Sequence, residues 1–179
     1  MFKIEKIDSQ NYWLYKKLQI TVEQVKMMGD NSEEPCTFYL MNVMSQYAFE
    51  SDDYFVADVL AYRNTLLGFS NDNIPVGFCS YCYMNTDINN LGFENYGYFI
   101  TSYMIDKNFQ LRNFGTYGMK LLIEYIKQNH IPEKIYIAVD PANIPAKNLF
   151  LKSGFVLDEY SKKNENNHNI NLNMFLDCL

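Results

Sequence analysis

The chain has 179 residues, 48% of them hydrophobic and 16% aromatic, enough apolar material to bury a sizeable core within the range of one domain. Its net charge of -6, with no run of lysine or arginine, works against a nucleic-acid partner and mildly favours a cationic substrate. With no apolar stretch long enough for a bilayer span or a secretory leader, the expectations are no membrane partner, a cytoplasmic location, and one domain over residues 1–179.

In chain order, "FKIEKI" alternates as a short strand, and Asp8 or Ser9 can cap a helix formed by "NYWLYKKLQITVEQVKMM" up to Gly29. "NSEEP" connects to a second helical segment, "TFYLMNVMSQYAF", and Ser51 can cap a third, "DDYFVADVLAYR". "TLLGFS" and "VGFCSYCYM" read as strands around the hairpin composition "NDNIP". The polar connection "NTDINNLGFEN" leads into another strand, "YGYFITSYMI". "KIYIAV" predicts a strand parallel to it, reached by a crossover helix. "AKNLFLKS" is a short helix stopped by Gly154, which suits the left-handed position after a helix end. "FVLDEY" and "NINLNMFL" close the chain as strands around the polar turn "SKKNENNHN".

Cysteine and histidine do not assemble a site in this pattern. Cys36 and Cys178 stand alone, and strand alternation puts Cys79 and Cys82 of "GFCSYCYM" on opposite faces. His130 follows a helix and His168 lies in an Asn-rich turn, so no metal site and no Ser-His-Asp array is expected.

"IDKNFQLRNFGTYGMKLLIEYI", starting at Ile105, leaves a strand and enters a helix with Met119, Leu122, Ile123 and Ile126 on its apolar stripe. The turn between them sits at a helix N-terminus. There the backbone N–H groups lack intrahelical partners and the macrodipole is positive, so main chain alone can bind an anion such as a pyrophosphate. Gly115 permits close approach, and Asn113 is among the few non-glycine types that accept left-handed dihedrals. Taken in isolation, the stretch is better accounted for as an ordinary strand-to-helix turn with permissive residues.

In its surroundings, "FQLRNFGTYGMKLL" resembles the acetyl-CoA pyrophosphate loop of the GNAT N-acetyltransferase superfamily, Gln/Arg-x-x-Gly-x-Gly/Ala, with Gln110, Asn113 and Gly115 at the signature positions and Asn113 departing from the usual glycine. "KIYIAVDPANIPAKNLFLKSGF" is similar to the later segment of that family, with Asn143, Ala146, Leu149, Gly154 and Phe155 at the family's spacing. The order of elements matches over roughly residues 60 to 176. The resemblance implies an α+β fold: a central, mostly antiparallel sheet with one parallel pair splayed at the cofactor site, flanked by helices. It also implies an N-acetyltransferase with acetyl-CoA as cosubstrate and no metal, closest in texture to polyamine and diamine acetyltransferases. Its acceptor would be a small amine held partly by the first two helices and the connector at 29–36, and its aromatic final strands could pair in a homodimer.

Carried over residue by residue, the cofactor set is Gln110, Leu111, Arg112, Asn113, Phe114, Gly115 and Thr116 in the loop. Met104 and Ile105 join it through main-chain groups, Asn143 through a hydrogen bond to the pantetheine arm, and Phe150 completes the set. Asn143 also has a local explanation, as the cap of a helix with Pro145 in its first turn. Lys152 is read as a solvated lysine, and Tyr117 and Gly118 as packing residues. Catalytic residues are left unassigned. Phe150 stands where many relatives have a general-acid tyrosine, and Thr101 where a number have a carboxylate base; Glu94 and Tyr103 are the remaining candidates.

Overall fold

The structure is a computed structural model that describes residues 1–8, 10–27, 65–84, 97–164 and 171–178. The helices expected over 37–49 and 52–63, the connectors at 29–36 and 85–95, the Ser9 and Ser51 caps, Glu94 and His168 lie outside the described residues.

Among the described residues, seven strands form one sheet in the order β1-β2-β3-β4-β5-β7-β6. They are β1 (Phe2–Lys6), β2 (Thr65–Asn71), β3 (Ile74–Met84), β4 (Gly97–Ile105), β5 (Lys134–Val139), β6 (Val156–Leu157) and β7 (Leu172–Asp177). All neighbours run antiparallel except β4 and β5, whose parallel pairing requires the crossover helix α3 (Phe114–Asn129). The β2–β3 hairpin turns on Asp72 and Asn73, with φ of 50° and 64°, the left-handed pair whose twist matches that of the flanking strands.

The two faces of the sheet carry separate cores. Met119, Leu122 and Ile126 of α3, with Phe150 and Phe155, pack on Leu67, Phe69, Cys79, Ile100, Ile105, Ile135 and Ile137. Each fully buried aliphatic side chain of this kind contributes roughly 1.5–3 kcal/mol. On the opposite face Tyr15, Leu18 and Ile20 meet Leu66, Phe78 and Met104. Cys79 and Cys82 fall in different clusters, one on each face, and burial pushes both thiols up, Cys82 to about 11. That disfavours the thiolates that redox or metal chemistry needs.

Three local expectations are corrected. The single helix over 11–28 is two: α1 (Tyr12–Tyr15) and α2 (Val22–Met27). Between them Leu18 and Ile20 turn inward to the core, and Gln19 bonds along the backbone to Lys107, so these residues gain more from extended pairing than from another helical turn. A new helix then starts at a reciprocal cap, the Thr21 N–H donating to Gln24 Oε1 and the Gln24 N–H to Thr21 Oγ1. Secondly, Asp8 caps no helix directly: its carboxylate accepts the Gln10 N–H in a tight turn ahead of α1. Thirdly, "FVLDEY" is a strand for two residues only. Asp158 then accepts the Ser161 N–H and starts the short helix α5 (Glu159–Lys163). The helix α4 (Ile144–Lys152) ends as expected, with Gly154 at φ +95°.

Candidate active site

The ladder between β4 and β5 holds for three positions, Tyr98↔Ile135, Phe99↔Tyr136 and Ile100↔Ile137. Beyond them β4 continues with β3 to Ile105 and β5 continues with β7 to Val139, so the two central strands diverge and leave a notch. The divergence begins at a bulge. Register jumps from Tyr81↔Ile100 to Ser80↔Ser102, leaving Thr101 as the extra residue. Ile100 and Tyr103 both belong to the α3-side core, so alternation puts Thr101 and Ser102 together on the other face. There Thr101 Oγ1 lies 2.7 Å from Ser80 Oγ.

Past the bulge, strand geometry decides which backbone groups face the notch. The Asp106 N–H donates to the Val76 carbonyl at 2.8 Å, pointing toward β3. By alternation the main-chain groups of Met104 also turn toward β3, and those of Ile105 and Tyr103 turn toward the open side. The Ile105 carbonyl there accepts Gln110 Nε2 at 2.9 Å. Of the two residues expected to meet the cosubstrate through main chain, Ile105 faces the notch, while Met104 faces β3 and buries its side chain on the α1 side.

The loop from Asp106 to Asn113 is built around a buried carboxylate. Asp106 is 4% exposed; its Oδ2 accepts the Gln19 N–H at 2.7 Å, and its Oδ1 accepts the Asn108 N–H at 2.9 Å and Nδ2 at 3.0 Å. Sequence reasoning missed Asp106, though an Asp two residues before an Asn at a strand end is the signature of such a turn. Leu111 and Asn113 both take left-handed backbones, at φ 61° and 64°. Leu111 is fully exposed, so no packing compensates for its strain. Arg112 lies over the Phe109 ring, 5.8 Å from its centroid.

α3 begins directly after Asn113 with no side-chain cap and no acidic residue in its first turn. Among the described residues the helix supplies no carboxylate of its own at this positive end, where the N–H groups of Phe114, Gly115 and Thr116 lack intrahelical acceptors. A Cβ on Gly115 would lie 3.4 Å from Leu149 Cδ2 and 3.9 Å from Ile105 Cγ1. Intramolecular packing thus leaves room for a side chain, and the glycine keeps open the space between the end of β4 and α4. These features fit a diphosphate held by main chain. Gly118 differs: a Cβ there would meet Tyr103 Oη at 2.6 Å and the Phe69 ring at 3.3 Å, which makes it a packing residue.

Across the notch, Asn143 caps α4, its Oδ1 accepting the Ala146 N–H at 3.2 Å. Phe150 is buried, its ring edge-on to Tyr103 at 6.5 Å and tilted against Phe155 at 6.2 Å. The Tyr103 hydroxyl donates to the Gly115 carbonyl at 2.5 Å, and burial pushes its pKa well above the ordinary tyrosine value. Lys152 is exposed. Among the described residues no group of His, Cys, Asp and Glu could hold a metal ion, and no helix is long and apolar enough to cross a membrane.

Residues 29–155, more than half of the chain, match the acetyltransferase (GNAT) family. Among solved structures the chain is similar to the aminoglycoside acetyltransferase AAC(6')-Ib in complex with coenzyme A, at 15% identity and a TM-score of 0.69, with 99% of this chain and 95% of that one covered. It is also similar to the PaiA N-acetyltransferase of Thermoplasma acidophilum in complex with coenzyme A, at 13% identity and a TM-score of 0.61, covering 99% of each. The ribosomal-protein-S18-alanine N-acetyltransferase of Escherichia coli follows at 11% identity and a TM-score of 0.58, with 99% and 94% covered. At such identities the likeness is one of fold. No curated protein is a significant sequence match. A mixed seven-stranded sheet with one splayed parallel pair and an open helix N-terminus beside it is the frame of an acyl-CoA-dependent acyltransferase. The chain belongs to the acetyltransferase (GNAT) family, and the first two of these similar structures hold coenzyme A.

Proposed function

We propose that the protein transfers acetyl from acetyl-CoA to a primary amine of a small cationic molecule, by direct attack in the notch between β4 and β5. The uncapped N-terminus of α3 beside Gly115 is the observation that supports this most strongly. In this reading the N–H groups from Gln110 to Thr116 take the diphosphate, and the Ile105 main chain and the Asn143 carboxamide hold the pantetheine arm. A main-chain N–H at the splayed end of β4 polarises the thioester carbonyl. The chain acts as one domain, and no covalent acyl-enzyme is required.

The proton bookkeeping follows from what the side chains lack. Phe150 has no proton to donate, but a thiolate with an ordinary pKa of about 8.5 leaves readily near neutrality. The amine is harder, because one with a pKa near about 10.4 must lose a proton before attack. Thr101 brings a hydroxyl rather than a carboxylate to the bulge, so water carries that proton away. A polyamine such as spermidine suits the net charge of -6. The similar aminoglycoside acetyltransferase was crystallised with coenzyme A and kanamycin, which supports a small-molecule acceptor. Release of free thiol from acetyl-CoA, followed across polyamines, aminoglycosides, amino acids and protein N-termini, tests the proposal. No release with any of them defeats it.

A second reading, a module that holds acetyl-CoA with little or no turnover, is favoured by one observation: the position of the usual general acid is a buried phenylalanine packed on Tyr103. Calorimetry separates the two, since binding of acetyl-CoA with no thiol release under any acceptor supports the module.

A further inference from the structure

Gln24 and Gln110 are 86 residues apart in sequence and share one hydrogen bond, Gln110 Nε2 to Gln24 Oε1 at 2.9 Å. The orientation of both amides is fixed by their other partners. Thr21 N–H can only donate, so it selects Gln24 Oε1, and the Ile105 carbonyl can only accept, so it selects Gln110 Nε2. The result is a continuous chain: Ile105 carbonyl, Gln110 amide, Gln24 amide, first turn of α2. The reciprocal cap between Thr21 and Gln24 is already complete without Gln110, so the bridging bond adds something beyond capping. A second tie lies alongside, where Gln19 donates to Asp106 and accepts from the Lys107 N–H at 2.7 Å.

We propose that Gln24 is a positioning residue that couples the occupancy of the diphosphate loop to the order of α2. The inference rests on the reading of residues 110–116 as the diphosphate cradle. When those N–H groups engage an anion, the Gln110 backbone is held. Its side chain then holds Gln24 Oε1, and the first turn of α2 loses freedom with it. Linkage makes the effect reciprocal: whatever orders α2 also tightens the loop. The first turn of α2 is thus firmest when an anion fills the loop.

Hydrogen exchange on the full chain, with and without coenzyme A, tests the coupling. In the wild type, coenzyme A slows exchange both in the loop at 107–116 and in residues 19–27, the latter by roughly fivefold or more. In Gln24→Ala the loop still responds, Gln19 keeps the response carried by its own bonds to Asp106 and Lys107, and residues 22–27 lose theirs. Thr21→Ala, which weakens the cap but leaves the amide pair, keeps the response; so does Gln24→Glu, whose carboxylate accepts from both donors. Should Gln24→Ala fail to fold, Gln110→Met removes the same bond from the other side while keeping the loop's main chain, and loses the response in the same way. A wild type whose loop is protected while residues 19–27 stay unchanged overturns the coupling alone, as does an undiminished response in Gln24→Ala. No protection of the loop at all overturns the diphosphate reading, and the coupling with it.

Discussion

Tyr103 donates its hydroxyl hydrogen to the Gly115 carbonyl over 2.5 Å, joining β4 to the first turn of α3 at the place where the notch opens. The same hydroxyl is 2.6 Å from where a Cβ on Gly118 would sit. Gly118→Ala is therefore expected to destabilise by about 1–3 kcal/mol through overpacking, and Tyr103→Phe by about 1 kcal/mol through the lost hydrogen bond. Because both act on one oxygen, the double variant costs less than the sum. Strict additivity in denaturant melts would refute the shared contact.

Gly115→Ala separates packing from binding. The added methyl meets the flexible end of Leu149 at 3.4 Å and Ile105 Cγ1 at 3.9 Å, both ordinary contacts, and alanine is the better helix former by about 1 kcal/mol. The fold is expected to be unharmed or slightly stabilised, while affinity for coenzyme A drops by about tenfold or more as the cradle fills. Unchanged affinity in calorimetry would remove the cradle from Gly115.

Leu111 and Asn113 hold left-handed backbones without compensating side-chain contacts at Leu111 or a cap at Asn113. Leu111→Gly is expected to raise stability by roughly 1 kcal/mol, since leucine is strained at that φ. Asn113→Gly should change stability little and leave coenzyme A binding equal or tighter, whereas Asn113→Ala should lower stability by about 1 kcal/mol. Thermal melts of the three variants check the order.

With no carboxylate at Thr101, kcat/KM for the amine should climb about tenfold per pH unit from pH 6.5 to 9, following the free-amine fraction. Phe150→Tyr should move turnover by less than about threefold, because the thiolate needs no proton to leave. A plateau near neutrality would reveal a base. A tenfold rise in Phe150→Tyr would show that proton donation limits the rate.

Burial raises the phenols of Tyr15, Tyr103 and Tyr81, the last to about 12. A folded-state value above the unfolded value of about 10 means the fold favours the neutral phenol. That stability is fully present below pH 10 and is lost as pH rises through the folded values. The melting temperature is expected to be insensitive to these groups up to pH 10 and to fall beyond it, less steeply in Tyr81→Phe. An identical slope in that variant would exclude Tyr81 as a contributor.

What the sequence revealed depended on how local each signal is. The apolar stripe of α3 and the Asn143 cap are written within one or two turns of chain, and both are found as read. Thr21-x-x-Gln24 was equally local, but the apolar residues running through 11–28 masked the break; Leu18 and Ile20, two apart, share an inward face only in an extended chain. The bulge at Thr101 could not be read at all: it exists only as a mismatch against Ser80 and Tyr81 on another strand. Gln24 and Asp106 were missed for the same reason, since their meaning lies in partners 86 and 87 positions away.

The short ladder between β4 and β5 also divides the sheet mechanically. On one side β1 to β4 and on the other β5, β7 and β6 are each laced by antiparallel pairing, and three parallel positions join the halves. On the function proposed above, an acetyl donor seated in the notch would brace that seam like mortar between two courses of brick. Because a ligand at a hundred times its dissociation constant adds about 2.7 kcal/mol, the protein's survival at high temperature becomes a gauge of how much acetyl donor surrounds it.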